Sequence, residues 1–198
     1  AGAWCCAYAF RLGRSDVEFV RLLIDAFERS LAVDPRRVYA MGFSNGAILA
    51  YELAARIPDR LAGVAAFAAA AAGIGGPGGT ERATAPTAPV PLLMMHGTAD
   101  RVAPFEGGES ERFAGTVYIS QAENVSLYST AYGCAARPES STEQGGKGAI
   151  TVLRFSGCDA DLVAVRLENV GHGWPDPSVA GFDGIGRAWE FLRAHVRP

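Results

Sequence analysis

Gly42-Phe43-Ser44-Asn45-Gly46 sets a serine in the pattern G-x-S-x-G. A serine hydroxyl is a weak nucleophile and needs a base within reach. It must also project clear of its own backbone. The flanks supply the means. Val38-Tyr39-Ala40-Met41 reads as a short strand, and Ala47–Arg56 is a helix former's run without proline or glycine. A sharp strand-to-helix turn there projects the hydroxyl at the cost of local crowding. Gly42 and Gly46 are expected because a Cβ at either would meet the neighbouring strand or helix. The serine also lands at a helix N-terminus, where backbone N–H groups favour a developing oxyanion. The backbone N–H of Asn45 is the expected first oxyanion donor. The bland alternative is a turn whose glycines serve only the backbone.

A base and an orienting carboxylate must complete such a site. The chain has three histidines, so elimination is informative. His96 ends the apolar run Val90–His96 and reads as a buried histidine with its bonds satisfied. His195 lies near the end of the last helix, where a cation suits the dipole. His172 lies in the glycine-flanked loop Asn169-Val170-Gly171-His172-Gly173-Trp174-Pro175 and is the expected base. For the acid, Asp100 follows the buried run in His96-Gly97-Thr98-Ala99-Asp100. Asp159 and Asp161 fall in a hairpin turn, where aspartate is common. Asp176 is too near His172 to come from a separate strand end, and Asp183 suits a helix cap. The order Ser44, Asp100, His172 is that of α/β-hydrolases.

The elements that would position these groups alternate along the chain. Ser15-Asp16-Val17-Glu18 is a capping box that opens an amphipathic helix with Phe19, Val20, Leu23, Ile24, Phe27 and Leu31 on its apolar face. After the serine helix, Gly63–Phe67 reads as a buried strand. Residues 73–91, rich in Gly, Ala, Thr and Pro, read as a flexible surface loop. Val90–His96 is a strand buried on both faces, and 101–119 reads as loop. Ser120-Gln121-Ala122-Glu123 is a second capping box, opening a helix with Val125, Tyr128 and Tyr132 on one face and Gly133 at its close. Ile150–Phe155 and Leu162–Leu167 are strands around a turn. A last helix over 183–195 turns Ile185, Ala188, Trp189 and Leu192 inward. This alternation predicts one α/β domain over 1–198, a mainly parallel sheet with helices on both faces. In such sheets functional residues gather at the carboxyl ends of the strands. Ser44, Asp100 and His172 each follow a predicted strand.

Composition narrows the partners. Of 198 residues, 49% are hydrophobic and 20% charged, with a net charge of −3 and no run of Lys or Arg. Nucleic acid and anionic membranes are not expected partners. The apolar run Ala65–Ala72 falls well short of the roughly 20 residues that span a bilayer. No C-x-x-C, H-E-x-x-H or G-x-G-x-x-G after a strand occurs, so no metal or cofactor is expected. Of the four cysteines, Cys134 and Cys158 are placed either to bridge or to remain two buried thiols. Adjacent Cys5 and Cys6 pair with each other under strain, stay free or reach a cysteine elsewhere.

The blocks DPRRVYAMGFSNGAILAYELA, PLLMMHGTADRVAPFEGG, YGCAARP and NVGHGWP resemble the polyhydroxybutyrate depolymerase and feruloyl esterase-like (LpqC-type) family of secreted serine esterases. The resemblance runs from about Trp4 to the C-terminus. It implies an α/β-hydrolase fold, hydrolysis of carboxylic esters without a cofactor, and nucleophile, acid and base at Ser44, Asp100 and His172. Cys134 and Cys158 match family positions, which favours an extracytoplasmic location. Substrates implied are hydroxyalkanoate oligomers or feruloyl-type aromatic esters. Trp174 either lines the acyl pocket or packs beneath the histidine loop. The family's domain begins earlier, with strands and a His-Gly loop that gives the second oxyanion donor. Residues 1–14 cannot be that element, so the chain is expected to be truncated at its N-terminus. Ala68–Thr84 is unusually rich in Ala and Gly and matches no family element. Transfer of the acyl group to an alcohol by the same triad is the alternative activity, and a non-catalytic remnant or binding module the alternative class.

Overall fold

A computed structural model describes residues 15–71, 73–75 and 86–198. Residues 1–14, with Cys5 and Cys6, lie outside the described residues, as do residue 72 and 76–85.

The first helix, α1 (Asp16–Ser30), starts at Ser15, whose Oγ accepts the Glu18 N–H at 3.2 Å. The return half of the expected capping box does not form. Glu18 instead pairs with Arg21, one helical turn on, where a guanidinium offers two donors at 2.6 and 2.8 Å. The apolar stripe also divides. Val17 is buried and Val20 and Ile24 pack on the core, but Phe19, Leu23, Phe27 and Leu31 are exposed. The stripe read from the sequence is wider than the surface that receives it.

Strand β1 (Tyr39–Phe43) leads into α2 (Asn45–Arg56), and a 3₁₀ turn at Pro58–Arg60 returns the chain to β2 (Gly63–Phe67). A short β3 (Gly73–Gly75) follows, then β4 (Leu92–Gly97), β5 (Gly108–Glu109) and β6 (Thr116–Tyr118). Helix α3 (Gln121–Ala131) has the complete capping box: Ser120 Oγ accepts from Glu123 N–H, and Glu123 accepts from Ser120 N–H at 2.8 Å. Strands β7 (Glu139–Gln144), β8 (Ala149–Phe155) and β9 (Leu162–Leu167) precede α4 (Gly184–Arg193), capped by Asp183.

Six strands form one sheet in the order β1-β2-β4-β9-β8-β7. The first four are parallel, and β8 and β7 are antiparallel. Alternate residues of each buried strand face opposite ways. Val64, Ala66, Leu92 and Met94 meet α1, α2 and α3 on one face; Ala65, Phe67, Leu93 and Met95 meet Ala188 and Leu192 of α4 on the other. Burial on both faces is why these strands read as continuous apolar runs. Trp189 departs from expectation. It is 50% exposed and meets Tyr39 edge-on, because the α4 contact is narrow enough for Ala188 and Leu192 to fill.

Two further differences concern strands with little apolar signal. Gly73–Gly75, expected as loop, pairs antiparallel with Thr116–Tyr118, which pairs in turn with Gly108–Glu109. These pieces are two or three residues long, and β3 pairs with β6 over a long distance in sequence, so period does not mark them. The β7 sequence ESSTEQ is exposed at every position and carries no alternation to read.

The turn between β1 and α2 is tight. Ser44 has φ 56° and ψ −120°, its N–H donates to Phe67 O at 2.9 Å, and its carbonyl accepts the first helical bonds from Ala47 and Ile48. A Cβ on Gly42 would lie 2.0 Å from Gly46 O. No described atom lies within 4 Å of a Cβ on Gly46, so the expectation of crowding holds at Gly42 and fails at Gly46. Helix α2 packs back over β1 and β2 through Ala47, Ala50 and Tyr51, and a Cβ on Gly46 would point away from that contact. Gly42→Ala is expected to lower the urea midpoint sharply, since backbone must move to admit the methyl. Gly46→Ala should leave the midpoint equal or raise it, with the unfolding free energy gaining up to about 1 kcal/mol through helix propensity.

Cys134 and Cys158 form a disulfide that ties the end of α3 to the β8–β9 turn. It closes a sequence separation of 24, which is worth about 3 kcal/mol in the chain-entropy model. Replacing both cysteines by alanine should reduce the unfolding free energy by about that much, measured by urea titration, and added reductant should then have no further effect.

Candidate active site

Three strand ends meet at one edge of the sheet. Ser44 follows β1, Asp100 lies three residues past β4, and His172 lies five residues past β9. The structure brings the three side chains into one chain of hydrogen bonds. His172 Nε2 lies 2.9 Å from Ser44 Oγ, and His172 Nδ1 lies 2.8 Å from Asp100 Oδ2. A carboxylate only accepts. The His172 proton therefore sits on Nδ1, leaving Nε2 to accept from the serine hydroxyl.

Backbone strain concentrates where these side chains are presented. Among the described residues, positive φ outside glycine occurs at Ser44, Ala68 and Asn169, just past β1, β2 and β9. Asn169 turns the chain so that Val170 crosses the β4 turn, where Ala99 N–H donates to Val170 O at 3.0 Å. A Cβ on Gly97 would stand 2.1 Å from that same carbonyl. The glycine is what lets the histidine loop approach the aspartate turn.

Asp100 has no side-chain surface exposed, while His172 keeps 17% of its own. Oδ1 of Asp100 accepts from the N–H groups of Val102 and Ala103, both at 2.9 Å. Oδ2 accepts from His172 and lies 3.3 Å from His96 Nε2. Burial alone would raise the Asp100 pKa. The bonds from His172, His96 and the Ala103 amide outweigh it and hold the carboxyl well below the usual aspartate range.

Aromatic rings support the histidine. The Phe43 ring lies 4.9 Å from the His172 ring. Trp174 stacks on Phe43 at 5.3 Å with 27° between planes and tilts against Phe67. Trp174 thus packs against Phe43 and Phe67 and keeps 39% of its surface exposed. Asn45, the expected oxyanion donor, is the first residue of α2, directly after Ser44. The other two histidines have different partners. His195 Nδ1 meets Phe191 O and its Nε2 meets Asp161. His96 is buried against Asp100 and Ala103 O.

Phe43, Phe67 and His96 take part here without being singled out from sequence alone as site residues. The one available signal was for His96, the single polar side chain in Val90–His96. No group of three or more His, Cys, Asp or Glu among the described residues is arranged to hold a metal ion. Among those residues no helix is long and apolar enough to cross a membrane.

Several proteins of similar sequence or fold are named as esterases. The chain is 32% identical over 174 residues to NocK of Nocardia uniformis subsp. tsuyamanensis, a protein named as an esterase, covering 81% of this chain and 49% of NocK. It is 30% identical over 140 residues to feruloyl esterase B of Piromyces equi, covering 70% of this chain and 25% of that protein. It is 26% identical over 182 residues to the bifunctional acetylxylan esterase/xylanase XynS20E of Neocallimastix patriciarum, covering 91% and 23%. The chain therefore spans about half the length, or less, of these relatives. Acetyl xylan esterase from Aspergillus awamori shares the fold, with a TM-score of 0.57 at 13% identity over 91% of this chain and 68% of that one. Residues 14–131 match the phospholipase/carboxylesterase family, so the chain belongs to that family of α/β-hydrolases.

Proposed function

We propose that this chain carries the active site of a serine esterase that hydrolyses carboxylic esters through an acyl-enzyme on Ser44. The observation that carries the reading is His172, within hydrogen-bond distance of Ser44 through one ring nitrogen and of Asp100 through the other. His172 Nε2 takes the Ser44 proton as Oγ attacks the ester carbonyl. The Asn45 backbone N–H donates to the oxyanion that forms. The imidazolium returns its proton to the departing alcohol, leaving an ester on Ser44. Water, deprotonated by His172, then attacks that ester, and the acid leaves as Oγ regains its proton. Asp100 keeps the imidazole in the tautomer and orientation that both steps need.

Hydroxyalkanoate oligomers and feruloyl-type aromatic esters are the proposed substrates. The relatives named for feruloyl and acetylxylan ester hydrolysis support ester chemistry of this kind. The open flank of Trp174 beside Phe43 gives an acyl chain or ring an apolar surface. An extracytoplasmic location is proposed with it, supported by the Cys134–Cys158 bridge.

With p-nitrophenyl acetate as substrate, Ser44→Ala should lower kcat by about 10⁴-fold or more, and Asp100→Asn by about 10⁴-fold. Activity unchanged in Ser44→Ala would overturn the reading. The depressed Asp100 pKa also fixes a sign for stability. Its contribution is fully present above about pH 4, where an unfolded aspartate is ionised, and is lost as pH falls towards the folded-state value. The unfolding free energy of the wild type should exceed that of Asp100→Asn most at neutral pH, and urea titrations should show the gap narrowing below about pH 4.

A further inference from the structure

The geometry points to His96 as a positioning residue of this site, its Nε2–H fixing the Asp100 oxygen that His172 uses and thereby the orientation of the base. The inference rests on the reading of Ser44, His172 and Asp100 as a catalytic triad.

Two acceptors surround His96 Nε2: the Ala103 carbonyl at 2.9 Å and Asp100 Oδ2 at 3.3 Å. A nitrogen between two acceptors must carry the proton. Asp100 then has a donor for each oxygen on both sides. Oδ1 takes the Val102 and Ala103 amides, and Oδ2 takes His172 and His96. Without His96, Oδ2 holds only His172, and the carboxylate is free to tilt about its remaining bonds. A tilt there moves the His172 ring, because Nδ1 of that ring rides on Oδ2.

His96 is itself held on every side. It is 1% exposed, its ring stands edge-on to Phe105 at 5.5 Å, and its Nδ1 lies 3.4 Å from Gln121 Oε1. Gln121 bonds to Asn124, whose Oδ1 accepts the Ala71 N–H at 3.0 Å and whose Nδ2 donates to Tyr51 at 3.1 Å. The aspartate is thus braced through α3 against α2 and the segment after β2. A histidine kept only for volume would leave this polar chain without a purpose, since an apolar side chain fills the same space without desolvating a ring. Support of this kind is what holds reacting groups in register, and small misplacements cost about 10²-fold in rate.

The test uses the whole chain with p-nitrophenyl acetate. His96→Phe keeps the volume and loses the donor. His96→Gln puts an amide N–H near the position of Nε2, while the shorter His96→Asn cannot reach Asp100. His96→Phe and His96→Asn should lower kcat by about 10- to 10²-fold with KM unchanged, and His96→Gln should recover most of it. In an Asp100→Asn background, His96→Phe should have no further effect, the non-additivity expected of residues that act through one another. Wild-type kcat in folded His96→Phe would overturn the inference, as would effects of His96→Phe and Asp100→Asn that multiply. Should His96→Phe not fold, equal kcat in His96→Asn and His96→Gln would overturn it instead. Activity surviving in Ser44→Ala defeats the triad itself. Its loss there alongside full activity in His96→Phe defeats only the role of His96.

Discussion

A carboxylate with none of its side chain in water is costly to keep ionised, and everything at this edge of the sheet follows from keeping Asp100 so. Four N–H groups do it, two from its own turn and two from imidazoles. The turn can offer its amides because Asp100 is three residues past the end of β4. The outer imidazole can arrive because β9 is the parallel neighbour of β4 and ends at the same edge. Gly97 makes the last step of that approach sterically open. The contact between Asp100 and His172 is therefore a property of one strand pair.

Ser44, the proposed nucleophile, comes from farther away, across β2. Its position depends on a different constraint: the bond from Ser44 N–H to Phe67 O at the end of β2. Phe43 and Phe67 point to the α4 face of the sheet, and Trp174 bridges them to the histidine loop. One aromatic cluster thus sets the distance between two halves that the backbone alone brings only to the same edge. Bonds of 2.8 and 2.9 Å across three separate loops need such rigid backing.

Much of this was legible in sequence for a physical reason. The buried strands carry continuous apolar runs, and Gly63–Phe67 appears with the bounds expected of it. The serine, aspartate and histidine stand out because strand ends, glycines and a small histidine inventory leave few competitors. What stayed hidden was whatever lacks a periodic signal. Gly73–Gly75 and Thr116–Tyr118 are too short, and their pairing is set by the fold around them. Trp189 and the outer residues of α1 are apolar without being buried, since period reports which residues share a face and not how much of that face is met. His96 was legible as buried but not as a partner of Asp100, because contact between a strand end and a turn depends on the turn's path.

Strand β7 forms a lateral edge of the sheet, distinct from the carboxyl ends of the strands that bear the site. Strand β7 has no apolar residue, and its glutamates at 139 and 143 face water, Glu143 with an ion pair to Arg187 of α4. Its pairing with β8 rests on main-chain bonds and on small hydroxyl contacts such as Thr142 with Thr151. An exposed edge is normally a template for another strand. Here a second copy would have to bring its own glutamates alongside these, and would find no greasy side chain to cover in return. Among the described residues the sheet ends at β7, a polar strand that offers an incoming strand no apolar surface to bury.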